Sequence, residues 1–130
     1  MDKALSLGRT PARIAYGALA LVLLAAAIVT YGRGAAGWWV FPVFGLGPDL
    51  AFLLGLGETA HLVRGQMPRR AVPAYNALHR IWGPLALGAL AAAHLVPPVF
   101  LVGALVWGVH VCFDRAVGYG LRTRDGFQRS

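Results

Sequence analysis

The sequence predicts an all-α polytopic membrane protein with four transmembrane helices. Composition is the first reason. Hydrophobic residues make up 58% of the 130-residue chain and charged residues only 13%, against roughly 25% charged in an ordinary soluble domain. A chain this short leaves much of its surface outside, so that apolar surface cannot all be hidden in a core of its own. The second reason is segmentation: four apolar runs alternate with Gly, Pro and charged connectors. The third is the placement of Lys and Arg, which gather at alternate ends of those runs. Together these exclude a soluble enzyme, a disordered tail and a fibrous protein. One domain is expected over residues 1–130.

The first span is expected at about residues 13–31, with Thr10 and Pro11 as N-cap and first helical residue. Its Lys3-Arg9-Arg13 flank also suits a signal peptide, but the apolar run is too long, so a retained anchor is expected. Gly32–Gly37 reads as a turn, and Trp38 and Trp39 as an interfacial aromatic belt. The second span, about 38–57, is expected to break or kink at Gly47-Pro48, because proline lacks the donor that a helix needs there. Asp49 then falls in the first turn of the second half. Glu58–Arg70 is a polar connector.

The third span, about 73–96, is expected to bend at Pro84, which leaves the Arg80 carbonyl without a partner. Pro97-Pro98 makes an uncharged hairpin. The fourth span, about 98–117, closes at Gly118-Tyr119-Gly120 as a C-cap, with Tyr119 an interface anchor and 118–130 a polar tail. Lys3, Arg9, Arg13, Arg64, Arg69, Arg70, Arg115, Arg122, Arg124 and Arg129 fall on one side and only Arg33 on the other. Both termini are therefore expected in the cytoplasm. The net charge of +7 is read as contact with the anionic lipid bilayer, with no nucleic-acid partner. The lone Cys112 excludes an intramolecular disulfide and a Cys-rich metal site.

Ionisable residues inside spans are functional candidates by default, since charge in lipid is costly. They are Asp49, His79, His94, His110 and Asp114. At about 1.5 Å per residue, Asp49, His79, His110 and Asp114 share a layer in the inner half of the membrane, while His94 lies at the outer end. His110 and Asp114 are i,i+4 and project from one face. Asn76 and Tyr75 are each about one turn from His79. Neutral imidazoles with carboxylates suit a divalent metal such as Zn, Mn or Fe. Asp49, His79 and His110 are the expected metal ligands. Asp114 is the expected catalytic residue: a further ligand, a general base or the group that orients His110. Tyr75, Asn76, Arg115 and Tyr119 are expected to support these residues or the fold. A haem held by His79 and His110 is the other cofactor reading, with no feature favouring it.

Each candidate has a plainer alternative. Asp49 can cap a restarted half-helix. His110–Asp114 can be a structural pair, or Asp114 can bind Arg115. His79 can bond a carbonyl near the Pro84 bend. Glu58-Thr59-Ala60-His61 has one E-x-x-H where a di-iron bundle needs two, and it reads as interfacial. Trp82 and Trp107 read as packing residues. Cys112, about 200° around the helix from His110, is no ligand.

Trp39-x-Phe41, Pro48-Asp49-Leu50, Tyr75-Asn76-x-x-His79 and His110-x-x-x-Asp114-Arg115-x-x-Gly118-Tyr119-Gly120-Leu121, with Gly126-Phe127, resemble a family of small bacterial integral-membrane proteins filed as a domain of unknown function. The resemblance covers about residues 9–128 and implies the bacterial inner (cytoplasmic) membrane. Members usually have Lys where this sequence has Arg122, and tend to run Thr-His-Leu-Gly after Gly-Phe, where this sequence has Gln128-Arg129-Ser130. A weaker similarity, carried by Pro48-Asp49, His79 and His110-x-x-x-Asp114, is to membrane-bound metal-dependent hydrolases induced by DNA damage. It implies that Asp49, His79, His110 and Asp114 are metal ligands or a general base. Those hydrolases show a second acidic residue after Pro-Asp, and Arg-x-x-Thr-His where this sequence has Asn76-Ala77-Leu78-His79.

Three functions are compatible with these residues. One is a metal-dependent hydrolase acting on a lipid or amphiphile at the cytoplasmic leaflet. Another is a non-enzymatic accessory subunit of a larger membrane complex, or a homo-oligomer, whose polar layer joins helices. The last is a small transporter or proton relay.

Overall fold

The computed structural model describes residues 2–35 and 37–129. Ala36, in the expected first turn, and the side chain of Lys3, counted toward the inward charge, lie outside the described residues. The described residues form five α-helices: α1 (Asp2–Gly32), α2 (Val40–Leu46), α3 (Val72–Leu78), α4 (Trp82–Ala92) and α5 (Val99–Val117). Two 3-10 helices cover Gly47–Gly55 and Thr59–His61. Among the described residues there is no β-strand, only an antiparallel bridge between Arg122 and Gln128. Among the described residues two helical stretches are long and apolar enough to cross a membrane, Arg9–Gly32 and Val99–Val117, with mean hydropathies of 2.2 and 1.5. Val40–Gly55 and Trp82–Ala92 are shorter apolar stretches.

The first helix begins well upstream of the expected Thr10-Pro11 start, and Pro11 lies inside it. Proline loses one backbone bond, to the carbonyl of Leu7, but its fixed φ is helical. The helix formers of Lys3-Ala4-Leu5 lie ahead of it. The second run is α-helical only to Leu46 and continues as a 3-10 helix from Gly47. The third run is divided at His79–Ile81 into α3 and α4, so Pro84 sits in the first turn of a new helix and not within a bent one. A first-turn residue needs no intrahelical N–H, which is why proline fits there. Gly83 beside it is required by packing: the Trp107 ring fills the space that a Cβ would take.

Helix α5 is the central element, packed against α1, α2 and α4, while α3 packs on the Gly47–Gly55 helix. One core joins Ala27, Val40, Val102 and Val106; the other joins Ala51, Met67, Ala71, Val72 and Tyr75. Arg13 of α1 donates through Nε to the Ala116 carbonyl at the end of α5 (2.9 Å). Gly118 then ends α5 with φ 97°, a left-handed cap that glycine adopts without strain.

Beyond α5 the tail folds back. The Thr123 N–H donates to the Phe127 carbonyl (2.7 Å), and the Met67 N–H to that of Gly126 (2.9 Å). Asn76 binds the Arg122 backbone in both directions: Nδ2 donates to its carbonyl (2.9 Å) and Oδ1 accepts its N–H (2.7 Å). Arg69 and Asp125 form an ion pair (2.9 Å). The tail is thereby tied to α3 and to the connector that precedes it.

Candidate metal centre

Two imidazoles and two carboxylates from three parts of the chain converge on one point. Asp49 is in the first turn of the Gly47–Gly55 helix, His79 is the C-cap of α3, and His110 and Asp114 are one turn apart on α5. The Nε2 atoms of His79 and His110 are 3.0 Å apart. Asp49 Oδ1 lies 3.4 Å from His79 Nε2 and 3.5 Å from His110 Nε2. Asp114 Oδ2 lies 3.3 Å and 3.7 Å from the same two atoms.

The rings are oriented from behind. His79 Nδ1 is 2.8 Å from the Tyr75 carbonyl and His110 Nδ1 is 2.7 Å from the Gly45 carbonyl. A carbonyl only accepts, so each Nδ1 carries the proton, and a neutral ring then presents its Nε2 lone pair. The Gly45 carbonyl is available for a reason written in the sequence. In the 3-10 pattern it would receive the N–H of residue 48, and Pro48 has none. The Tyr75 carbonyl takes the backbone N–H of His79 (2.9 Å) on its other lone pair.

With both rings neutral and both carboxylates ionised, four acceptors face one another with two negative charges and no donor among them. Like partial charges at this spacing repel, and a cation at the centre removes the conflict. Asp49, His79 and His110 offer ligand atoms close enough together for one metal ion. Their edges of 3.0, 3.4 and 3.5 Å compare with about 3.3–3.4 Å expected between ligands of a tetrahedral ion with bonds of about 2.0–2.1 Å. The donor set, two nitrogens and carboxylate oxygen, is one that Zn and Fe accept.

The surroundings hold His79 tightly. It is fully buried, and Tyr75 stacks on it at 3.8 Å between centroids and 18°. Two carbonyls orphaned where α3 ends are taken by α5: Trp107 Nε1 donates to that of Leu78 (2.7 Å) and Arg115 Nη2 to that of His79 (2.9 Å). Arg115 Nη1 donates to the Tyr119 carbonyl (2.9 Å). Arg115 thus serves two backbone acceptors, and the alternative in which it is the partner of Asp114 is not what the fold uses. Such contacts behind a metal-binding imidazole fix its orientation and its basicity.

The expected Asp49, His79, His110 and Asp114 are all brought together. Tyr75 touches His79. Asn76 reaches the tail and Tyr119 offers its carbonyl to Arg115, so both act on the frame around the centre. His94 lies in the turn after α4 with φ 58°, away from it. Glu58 pairs with Arg70 (2.8 Å). Cys112 is buried and is not among the converging ligands. Sequence reasoning missed the Gly45 carbonyl and Trp107. The first had a signal in the Gly45-Leu46-Gly47-Pro48 interruption, whereas Trp107 looked like any packing residue.

The profile of the family described as Domain of unknown function (DUF4260) matches residues 16–130. No curated protein and no solved structure matches the chain.

Proposed function

The chain belongs to the DUF4260 family, and from its centre we propose an integral membrane protein that holds one divalent metal ion and uses it in hydrolysis. One observation carries this reading: two imidazole nitrogens 3.0 Å apart, each ring tied by Nδ1 to a carbonyl, with a carboxylate oxygen on either side. His79, His110 and Asp49 are the ligands. A bound Zn, Mn or Fe ion supplies Lewis acidity and lowers the pKa of a water molecule. Asp114, within reach of both imidazoles, would be the residue that holds the proton given up by a water at this centre. Arg115 and Tyr75 hold His79 in position.

Four membrane spans fit the element lengths. The α2 and 3-10 segments, seven and nine residues, extend about 28 Å at about 1.5 and 2.0 Å per residue. Helices α3 and α4, seven and eleven residues, extend about 27 Å on the same basis. Both lengths approach the roughly 30 Å hydrocarbon core of a bilayer. The lipid-facing surface would then include Leu21, Val22, Leu85 and Leu90, all exposed in the isolated chain.

The test is hydrolysis of chromogenic ester and phosphoester amphiphiles by metal-reloaded protein, wild type beside Asp114→Asn. The variant is expected to keep its metal and to lose at least about 10²-fold in rate, the usual worth of a positioned proton acceptor. Full metal loading without hydrolysis by the wild type would overturn the enzymatic part. The polar layer would then be helix–helix glue in an accessory subunit, and crosslinking in intact membranes would look for its partner.

A further inference from the structure

We infer that the centre is reached sideways, from the hydrocarbon phase past Asp49, by a molecule with an oxygen-donor head group and a hydrocarbon tail. This rests on the metal-binding, membrane-embedded reading above and adds the route and the ligand class.

The four converging side chains differ sharply in exposure. His79 is sealed by the fold and Asp114 is 15% exposed, but the Asp49 carboxylate is 49% exposed. The mouth of the centre is therefore at Asp49. What surrounds that mouth decides what can arrive there. In a 3-10 helix residues three apart lie in one row, so Phe52 lines up with Asp49, while Leu46 is the N-cap of that helix. Leu46 is 65% exposed, and the neighbours Leu50 and Leu53 are 59% and 57% exposed.

From Leu46 to Leu56 the only polar side chain is Asp49 itself. A mouth built for water-borne substrates carries polar groups to guide and orient them. This one is a leucine-rich face with a single carboxylate at its centre. A charge so placed is costly in lipid unless the cation behind it balances it. That arrangement offers hydrocarbon contact around a metal-binding head group. Around His79 the approach is closed: Tyr75 stacks on its ring, and Arg115 binds its carbonyl.

The experiment uses full-length protein in phosphatidylcholine nanodiscs, loaded with Co2+ and followed by its visible d–d absorption. Acetohydroxamate and octanohydroxamate carry the same oxygen-donor head and differ by six methylenes. The longer probe is expected to perturb the spectrum at a total concentration at least about tenfold lower, since each buried methylene favours binding. Leu50→Ser is expected to shrink that ratio while leaving cobalt uptake and acetohydroxamate binding unchanged. Equal or weaker binding of octanohydroxamate would overturn the inference, because a water-facing mouth sees the long chain drawn away into the bilayer. Binding of neither probe, with a crosslinkable dimer covering the leucine face, would also overturn it in favour of a second copy. No cobalt spectrum at all would instead overturn the metal reading on which the inference stands.

Discussion

Replacing His79 and His110 together by alanine is expected to reduce the metal content of the purified protein from about one ion per chain to less than about a tenth of that. Two of three ligand atoms disappear, and loss of supporting contacts alone typically costs 10–100-fold in metal affinity. Asp49 and Asp114 then both lose the imidazole nitrogens that lie 3.3–3.7 Å from them. The helices themselves should survive. The Tyr75 carbonyl keeps the backbone N–H of residue 79, and the hydrophobic cluster of Ala27, Val40, Val102 and Val106 that joins α1, α2 and α5 contains neither ring, although the His110–Gly45 bond between α5 and α2 is lost. Circular dichroism and membrane insertion are therefore the controls. His79 is fully buried, so its truncation leaves a cavity. If the double variant fails to insert, His110→Asn, which trades one ring nitrogen for an amide and empties less space, is the fallback with the same expected loss of metal. Wild-type metal content in a folded variant would refute the assignment of ligands.

The second large effect is on stability. Gly126→Ala is expected to destabilise the fold by about 2–4 kcal/mol, the range for a side chain forced into a left-handed backbone against a fixed neighbour. Gly126 has φ 88°, and a Cβ built there collides with the backbone of Met67. That neighbour cannot swing aside, because the Met67 N–H is itself bonded to the Gly126 carbonyl (2.9 Å). The tail should therefore come away from the connector. Exposed Arg124 and half-buried Arg122 then become cleavable, and limited trypsin digestion reads this directly. Faster removal of the C-terminal residues with the core intact is the expected result. Cleavage at the wild-type rate would show that the Gly126–Met67 contact does not hold the tail.

The centre was legible in the sequence to an unusual degree, and for a simple reason. A nearly uncharged apolar run makes each ionisable residue conspicuous, and the i,i+4 spacing of His110 and Asp114 puts both on one face of α5. Asp49 and His79 were conspicuous in the same way, although the first lies in a 3-10 helix and the second at the end of α3 rather than within continuous spans. What the sequence did not disclose depends on backbone choices with small energy differences. Thr10-Pro11 carries a helix-start signal, yet the helix runs through it, since one lost hydrogen bond does not outweigh a favourable segment on each side. Pro84 signals an interruption, but the break falls earlier, at His79–Ile81. Trp107 and Arg115 reach from α5 to satisfy the carbonyls of Leu78 and His79 there, which no local pattern announces.

The partners of Asn76 and Arg115 were hidden for a related reason. Both bond backbone groups far away in the chain, Arg122 and His79, and backbone acceptors have no signature in residue type. Tyr75 was expected near His79 from its four-residue spacing, and it stacks there. The tail, read simply as polar, is a short hairpin whose register depends on Gly126 being a glycine.

X-ray absorption at the metal edge of wild-type protein, purified in detergent without added metal, tests the central claim most directly. The expected spectrum has nitrogen and oxygen donors at about 2.0–2.1 Å, with the outer-shell scattering of two imidazoles and no sulfur. Absence of bound metal in a folded protein, or a first shell containing sulfur or lacking imidazole, would contradict the assignment of His79, His110 and Asp49.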